Sequence, residues 1–188
     1  KLTNKQQITS SLFFWNMRPI ATMCLAVFNV CLALFIKFKI VSSVEYKNIY
    51  GERLQSCSQE GMALTGFTRN GHCVDEDDDA GSHHICINMN STVGGNFCQV
   101  TGQPDWCSSR MTCHNRQEND KLCPVQNWCV CQWAFASYIR RAGGCDGIQD
   151  IQCNAINMVA LNAYRQMGES YLEALSCIER KCGISSII

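Results

Sequence analysis

The chain has 188 residues with 16 basic and 16 acidic side chains, a formal net charge of zero that conceals a division. Residues 1–44 carry five Lys or Arg and no acid, whereas residues 45–188 carry eleven basic and sixteen acidic residues. A net acidic domain with scattered cations disfavours nucleic-acid binding, and 15 cysteines, thirteen of them after position 44, point to an oxidising environment or a metal-holding module.

In chain order, residues 1–19 read as a polar, basic tail and residues 20–36 as a transmembrane helix. Ile20 to Ile36 is an uncharged apolar run of seventeen residues bracketed by Arg18 and by Lys37 with Lys39. That length sits at the short end of what crosses a hydrocarbon core, and the flanking cations can extend to the interface. No small-x-small cleavage site follows, which favours an anchor over a signal peptide. Cations flank both sides, so the charge rule does not fix sidedness. Residues 37–47 form a linker.

The remaining domain is short of ordinary core material. From Glu45 to Ile188, Leu, Ile, Val and Phe number 26 of 144 residues, below the roughly 20% at which a core becomes hard to assemble. Disulfides of about 2–4 kcal/mol each are expected to supply what burial does not. The structural cysteines are Cys57, Cys73, Cys86, Cys98, Cys107, Cys113, Cys123, Cys129, Cys131, Cys145, Cys153, Cys177 and Cys182. Thirteen is odd, so at least one is free, metal-bound or joined to another chain.

Glycines punctuate residues 45–125 too often for long helices. His84–Met89 alternates apolar side chains and reads as a strand, as does Trp128–Trp133. A helix follows from Trp133 to about Gly143-Gly144, a second from about Ile148 to Met167, and a third from Ser170 to Lys181 with Gly183 as its stop. The third is expected to bury Tyr171, Leu172, Leu175 and Ile178. The fold class is therefore α+β: a single-pass N-terminal transmembrane helix, then a small disulfide-rich domain with short strands first and helices last.

His72, Cys73, His83 and Cys86 are a weak candidate metal set, because their spacing matches no familiar zinc pattern and disulfides explain the cysteines better. No cofactor is expected. Asp75 to Asp79 resembles a calcium loop, but Ala80 stands where the turn needs Gly, so a solvated acidic loop is the preferred reading. Cys129 and Cys131 lie too close along a strand to bond each other and are expected to pair elsewhere. Cys177 and Cys182, five apart in one helix, should also have different partners unless the last turn unwinds. Asn90-Ser91-Thr92 is a glycosylation sequon with Asn90 as acceptor. Trp106 and Trp133 read as packing residues.

The blocks Asn48–Cys57, Thr65–Cys73, Asp78–Cys86 and Asn127–Cys131, in this order and spacing, resemble the DUF2237 family, a domain of unknown function. The resemblance covers residues 48–164 and implies that residues 165–188 are a C-terminal helical extension. The family pattern has a second Cys where His72 stands and an Arg-Trp pair where Ala134-Phe135 stands, and it supplies no reaction to carry over.

The expected function is that of a non-catalytic structural or scaffolding subunit. Its partners would be a lipid bilayer and other proteins of a membrane-associated assembly, such as an organellar membrane complex or the inner layer of a large algal virus capsid. The cysteine-rich domain would then face the non-cytosolic side or the interior of a virion. The alternative is a thiol-redox or metal-binding enzyme with Cys129 or Cys131 as the thiol and His83 or His84 as the base, which requires thiol and imidazole within reach of each other.

Overall fold

A computed structural model describes residues 45–75, 78–113 and 122–185. The Ile20–Ile36 run lies outside the described residues, and among those described no helix is long and apolar enough to cross a membrane. Strands come first and helices last.

Two antiparallel ribbons form the β portion. In the first, β1 (Ile85–Asn88) pairs with β4 (Asn127–Val130), with Cys86 opposite Cys129 and Ile87 opposite Trp128. All of β4 and the first three residues of β1 are buried. Alternation is therefore weak here, as in any strand covered on both faces. A bridge from Ile87 to Ile151 adds a loop segment beside β1, and another joins Asn48 to Asn157. The second ribbon, β2 (Arg110–Thr112) with β3 (Leu122–Pro124), is closed by the Cys113–Cys123 disulfide. Neither strand of it was legible in sequence, and nor was the short helix α1 (Phe97–Thr101), which Asn96 caps by accepting from the Gln99 amide.

Helix α2 (Gln132–Arg141) begins one residue before the strand expected over Trp128–Trp133 would end, so the chain turns from strand to helix at Cys131. It buries Phe135, Ala136, Tyr138 and Ile139 and ends before Gly143 at φ +79°. Arg140 and Arg141 in its last turn complement the negative end of the helix dipole.

The expected helix over Ile148–Met167 is half loop. Its helical part is α3 (Met158–Gln166), preceded by extended backbone at Ile148 and a 3₁₀ turn at Cys153–Ala155. Long-range pairing overrides the apolar periodicity: Ile148 bridges Gly95 and Ile151 bridges Ile87, so both are held as strand-like residues. The start of α3 is local, because the Asn157 side chain accepts from the Val159 amide at 3.1 Å. Helix α4 (Leu172–Cys182) ends on Gly183 in the left-handed conformation, as expected. It buries Leu175 and Ile178, but Tyr171 is only half-buried and Leu172 is 48% exposed, because a 3₁₀ turn at Gly168–Tyr171 shifts the start of the buried stripe.

One main core packs Ile85, Ile87, Phe97, Phe135, Tyr138, Ile139, Ile148, Ile156, Leu161, Tyr164 and Ile178 together with cysteines and alanines. Counting only Leu, Ile, Val and Phe understated it. Buried Tyr138 illustrates the point: its hydroxyl donates to the Gly95 carbonyl and accepts from the Gln149 amide, satisfying the polar end of a large side chain. Trp106 packs between Phe97 and Trp128, and Trp133 between Tyr164 and Tyr171, so both tryptophans pack as expected.

Candidate functional site

Twelve of the thirteen cysteines after position 44 are paired: Cys57–Cys86, Cys73–Cys129, Cys98–Cys107, Cys113–Cys123, Cys145–Cys177 and Cys153–Cys182. Cys177 and Cys182 do have different partners, both on the segment between α2 and α3. Cys131 is the unpaired one, which corrects the expectation that it bonds elsewhere.

Its place follows from local structure. Cys131 is the N-cap residue of α2, so the unsatisfied amides of the first helical turn gather at its end of the helix. One of them, Gln132 N–H, donates to the Ser82 carbonyl at 3.1 Å and stitches the Gly81–His84 loop to the helix. Ser82 has φ +47°, rare for a residue with a side chain, and its conformation turns the loop back toward α2. As a result Cys131 and His83 line one cavity of about 80 Å³, with Trp106, Trp128 and Ala134 among its walls.

His83 is fixed by a carboxylate. Its Nδ1 lies 2.8 Å from Asp79 Oδ1, its backbone N–H donates to Asp79 Oδ2 at 2.9 Å, and the Gly81 amide donates to Oδ1 at 3.0 Å. A carboxylate only accepts, so Nδ1 carries the proton and Nε2 is the ring's basic atom. Burial alone raises the Asp79 pKa, but hydrogen bonds from the His83 amide and ring and from Gly81 outweigh it and hold the carboxyl below its usual range. Phe67 stacks on the imidazole with centroids 6.0 Å apart. The run Asp75–Asp79 is therefore not a plain solvated loop: Asp79 at its end is buried and committed to His83.

His84 serves differently. It is buried, with Nδ1 2.8 Å from Gln132 Oε1 and Nε2 2.9 Å from Asp75 Oδ1 without hydrogen-bond alignment. Both ring nitrogens face protein acceptors, so His84 is a structural histidine. Tyr164 lies close to Cys131; burial pushes its phenol up, and the neighbouring thiol and Tyr171 add to the shift.

The weak metal set His72, Cys73, His83 and Cys86 is not assembled. Cys73 and Cys86 are consumed in separate disulfides, His72 leans on Asn70, and His83 on Asp79. What those cysteines do form is a buried knot: Cys57, Cys73, Cys86 and Cys129 are each 0–1% exposed and pack with Ala155 as a second small core. Asn90 is exposed in the turn after β1. Sequence reasoning missed Asp79 as the orienting group, although its place four residues before His83 in a glycine-containing loop was a usable signal.

The blocks Thr65–Cys73, Asp78–Cys86 and Asn127–Cys131 thus converge on this one place. No curated protein matches the chain. A family model does, over residues 47–167 and so over more than half of the sequence, and the chain belongs to DUF2237, described as an uncharacterized protein conserved in bacteria.

Proposed function

We propose that the domain performs thiol chemistry at Cys131, with His83 Nε2 as the base and Asp79 positioning the imidazole. The observation that carries this reading is that the unpaired cysteine shares a cavity with a histidine whose other nitrogen is held by a buried carboxylate. A cavity of about 80 Å³ admits a slender group, which suits a disulfide better than a bulky acyl donor. In the exchange step His83 takes the Cys131 proton and the sulfur attacks one sulfur of the substrate disulfide. That S–S bond breaks, a mixed disulfide forms, and the leaving thiolate takes up the proton. An external thiol then attacks the mixed disulfide and restores Cys131.

The test is the rate at which a small aromatic disulfide modifies Cys131 across pH. The substitution His83→Gln is expected to slow it about 100-fold near neutrality, the ordinary contribution of a general base, and Cys131→Ser to abolish it. An unchanged rate in His83→Gln sinks the reading.

Six disulfides support a second reading, in which the domain is a rigid, non-catalytic module and Ile20–Ile36 tethers it to a bilayer beside other subunits. Detergent extraction followed by identification of copurifying proteins tests this; a chain that partitions into the aqueous phase without partners excludes it.

A further inference from the structure

The two disulfides of the buried knot pack against each other. Sγ atoms of Cys57, Cys73 and Cys129 all lie within 4.8 Å of one another, and Cys86 is bonded to Cys57. Three sulfurs from separate places in the chain therefore cluster, and the fourth, Cys86 Sγ, is bonded to one of them. Two come from loops, and two are directly opposed across the β1–β4 ladder.

Hydrogen bonds independent of the disulfides hold all four residues in place. Asn127 Nδ2 donates to the Cys57 carbonyl at 3.0 Å, and Asn157 Nδ2 to the Cys73 carbonyl at 3.1 Å. The Cys129 amide donates to Thr65 Oγ1 at 2.8 Å, and the Cys86 carbonyl accepts from the Gln152 amide at 2.9 Å. At Gly66, with φ +94°, a Cβ would meet the His72 carbonyl oxygen at 2.4 Å, so the loop that leads into Cys73 is closely fitted too. None of these anchors uses a sulfur atom.

We propose that on reduction Cys57, Cys73, Cys86 and Cys129 form a tetrathiolate site for zinc or a similar thiophilic divalent cation. A tetrahedral zinc centre has Zn–S bonds of about 2.3 Å, which places its sulfurs roughly 3.8 Å apart. Reaching that geometry requires the sulfurs of each disulfide to part and Cys86 Sγ to draw toward those of Cys73 and Cys129, a change that side-chain rotation makes once the S–S bonds are cut. In balance, two equivalents of a dithiol reductant are oxidised, the two disulfides become four thiols, and one zinc ion displaces four protons. The knot would thus exchange covalent cross-links for a metal cross-link and keep the loops pinned in either redox state.

The experiment reduces the full chain anaerobically with a dithiol, supplies zinc, removes excess, and measures bound metal and alkylation of each cysteine by mass spectrometry. One retained equivalent is expected, with Cys57, Cys73, Cys86 and Cys129 protected and Cys131 alkylated. Cobalt in place of zinc is expected to give the d–d and charge-transfer bands of a four-thiolate tetrahedral centre. Cys86→Ser should lower the affinity and alter those bands, whereas the paired change Cys145→Ser with Cys177→Ser should leave both unchanged. Less than one equivalent, protection centred on other cysteines, or a reduced chain that holds no metal overturns the proposal. Because Cys131 is not a ligand, Cys131→Ser separates this result from the thiol chemistry proposed above.

Discussion

The disulfide knot and the helical half of the domain use the same cross-link for opposite purposes. Around Cys57, Cys73, Cys86 and Cys129 the bonded sulfurs are the core, with Ala155 the only other member of their cluster among the described residues. Around α2, α3 and α4 an apolar core of Phe135, Ile139, Ile156, Leu161 and Ile178 already exists, and Cys145–Cys177 and Cys153–Cys182 are built into it, with Cys153 alone of the four only partly buried. Covalent bonds replace burial where loops meet, and reinforce it where helices do. The difference explains how a chain poor in Leu, Ile, Val and Phe still builds a folded domain.

The sharpest way to break this comparison is to delete one bond from the knot. Cys73–Cys129 spans a sequence separation of 56, and loop closure over that length stabilises by about 4 kcal/mol. The double change to serine is expected to lose at least that much in a denaturant titration, because two hydroxyls also replace buried sulfur. A loss smaller than that of a core truncation would put the knot on the same footing as the disulfides of the helical half.

Next in size is Ile139→Ala in the helical half. Ile139 is fully buried, and truncation there is expected to cost about 3 kcal/mol, the middle of the usual range for such changes. Asn157→Ala probes the seam between the two regions, since this side chain caps α3 and holds the Cys73 carbonyl. It should cost about 2 kcal/mol, more than an ordinary exposed cap.

The His83 loop and the helical half titrate at opposite ends of the pH scale. Asp79 has a lowered pKa in the folded state, so its contribution is complete above the unfolded carboxylate value and is lost as pH falls through the folded one. Tyr138 and Tyr164 have raised pKa values, caused first by burial, so their contribution is complete below about pH 10 and is lost as pH rises further. Unfolding midpoints are expected to fall in acid for the wild type more than for Asp79→Asn, and to be flat from neutrality to about pH 10. The smallest effect is expected at the exposed pair Arg180–Asp146, 3.0 Å apart with side chains 57% and 92% exposed; Arg180→Ala should change stability by about 0.5 kcal/mol or less.

Family membership was legible as a resemblance of ordered sequence blocks. The α+β order, the helix stops at Gly143-Gly144 and Gly183, and the odd cysteine were legible too, each from a residue's own conformational preference or from arithmetic over neighbours. The different partners of Cys177 and Cys182 followed equally from helix geometry alone. Folding in three dimensions decided the rest: that Cys131 is the unpaired thiol, that Cys86 and Cys129 face each other yet bond to separate loops, that Ile148 and Ile151 join strands rather than a helix, and that Asp79 turns inward to His83. These outcomes rest on contacts between residues far apart in sequence, whose energies outweigh local preference and leave no periodic trace in it.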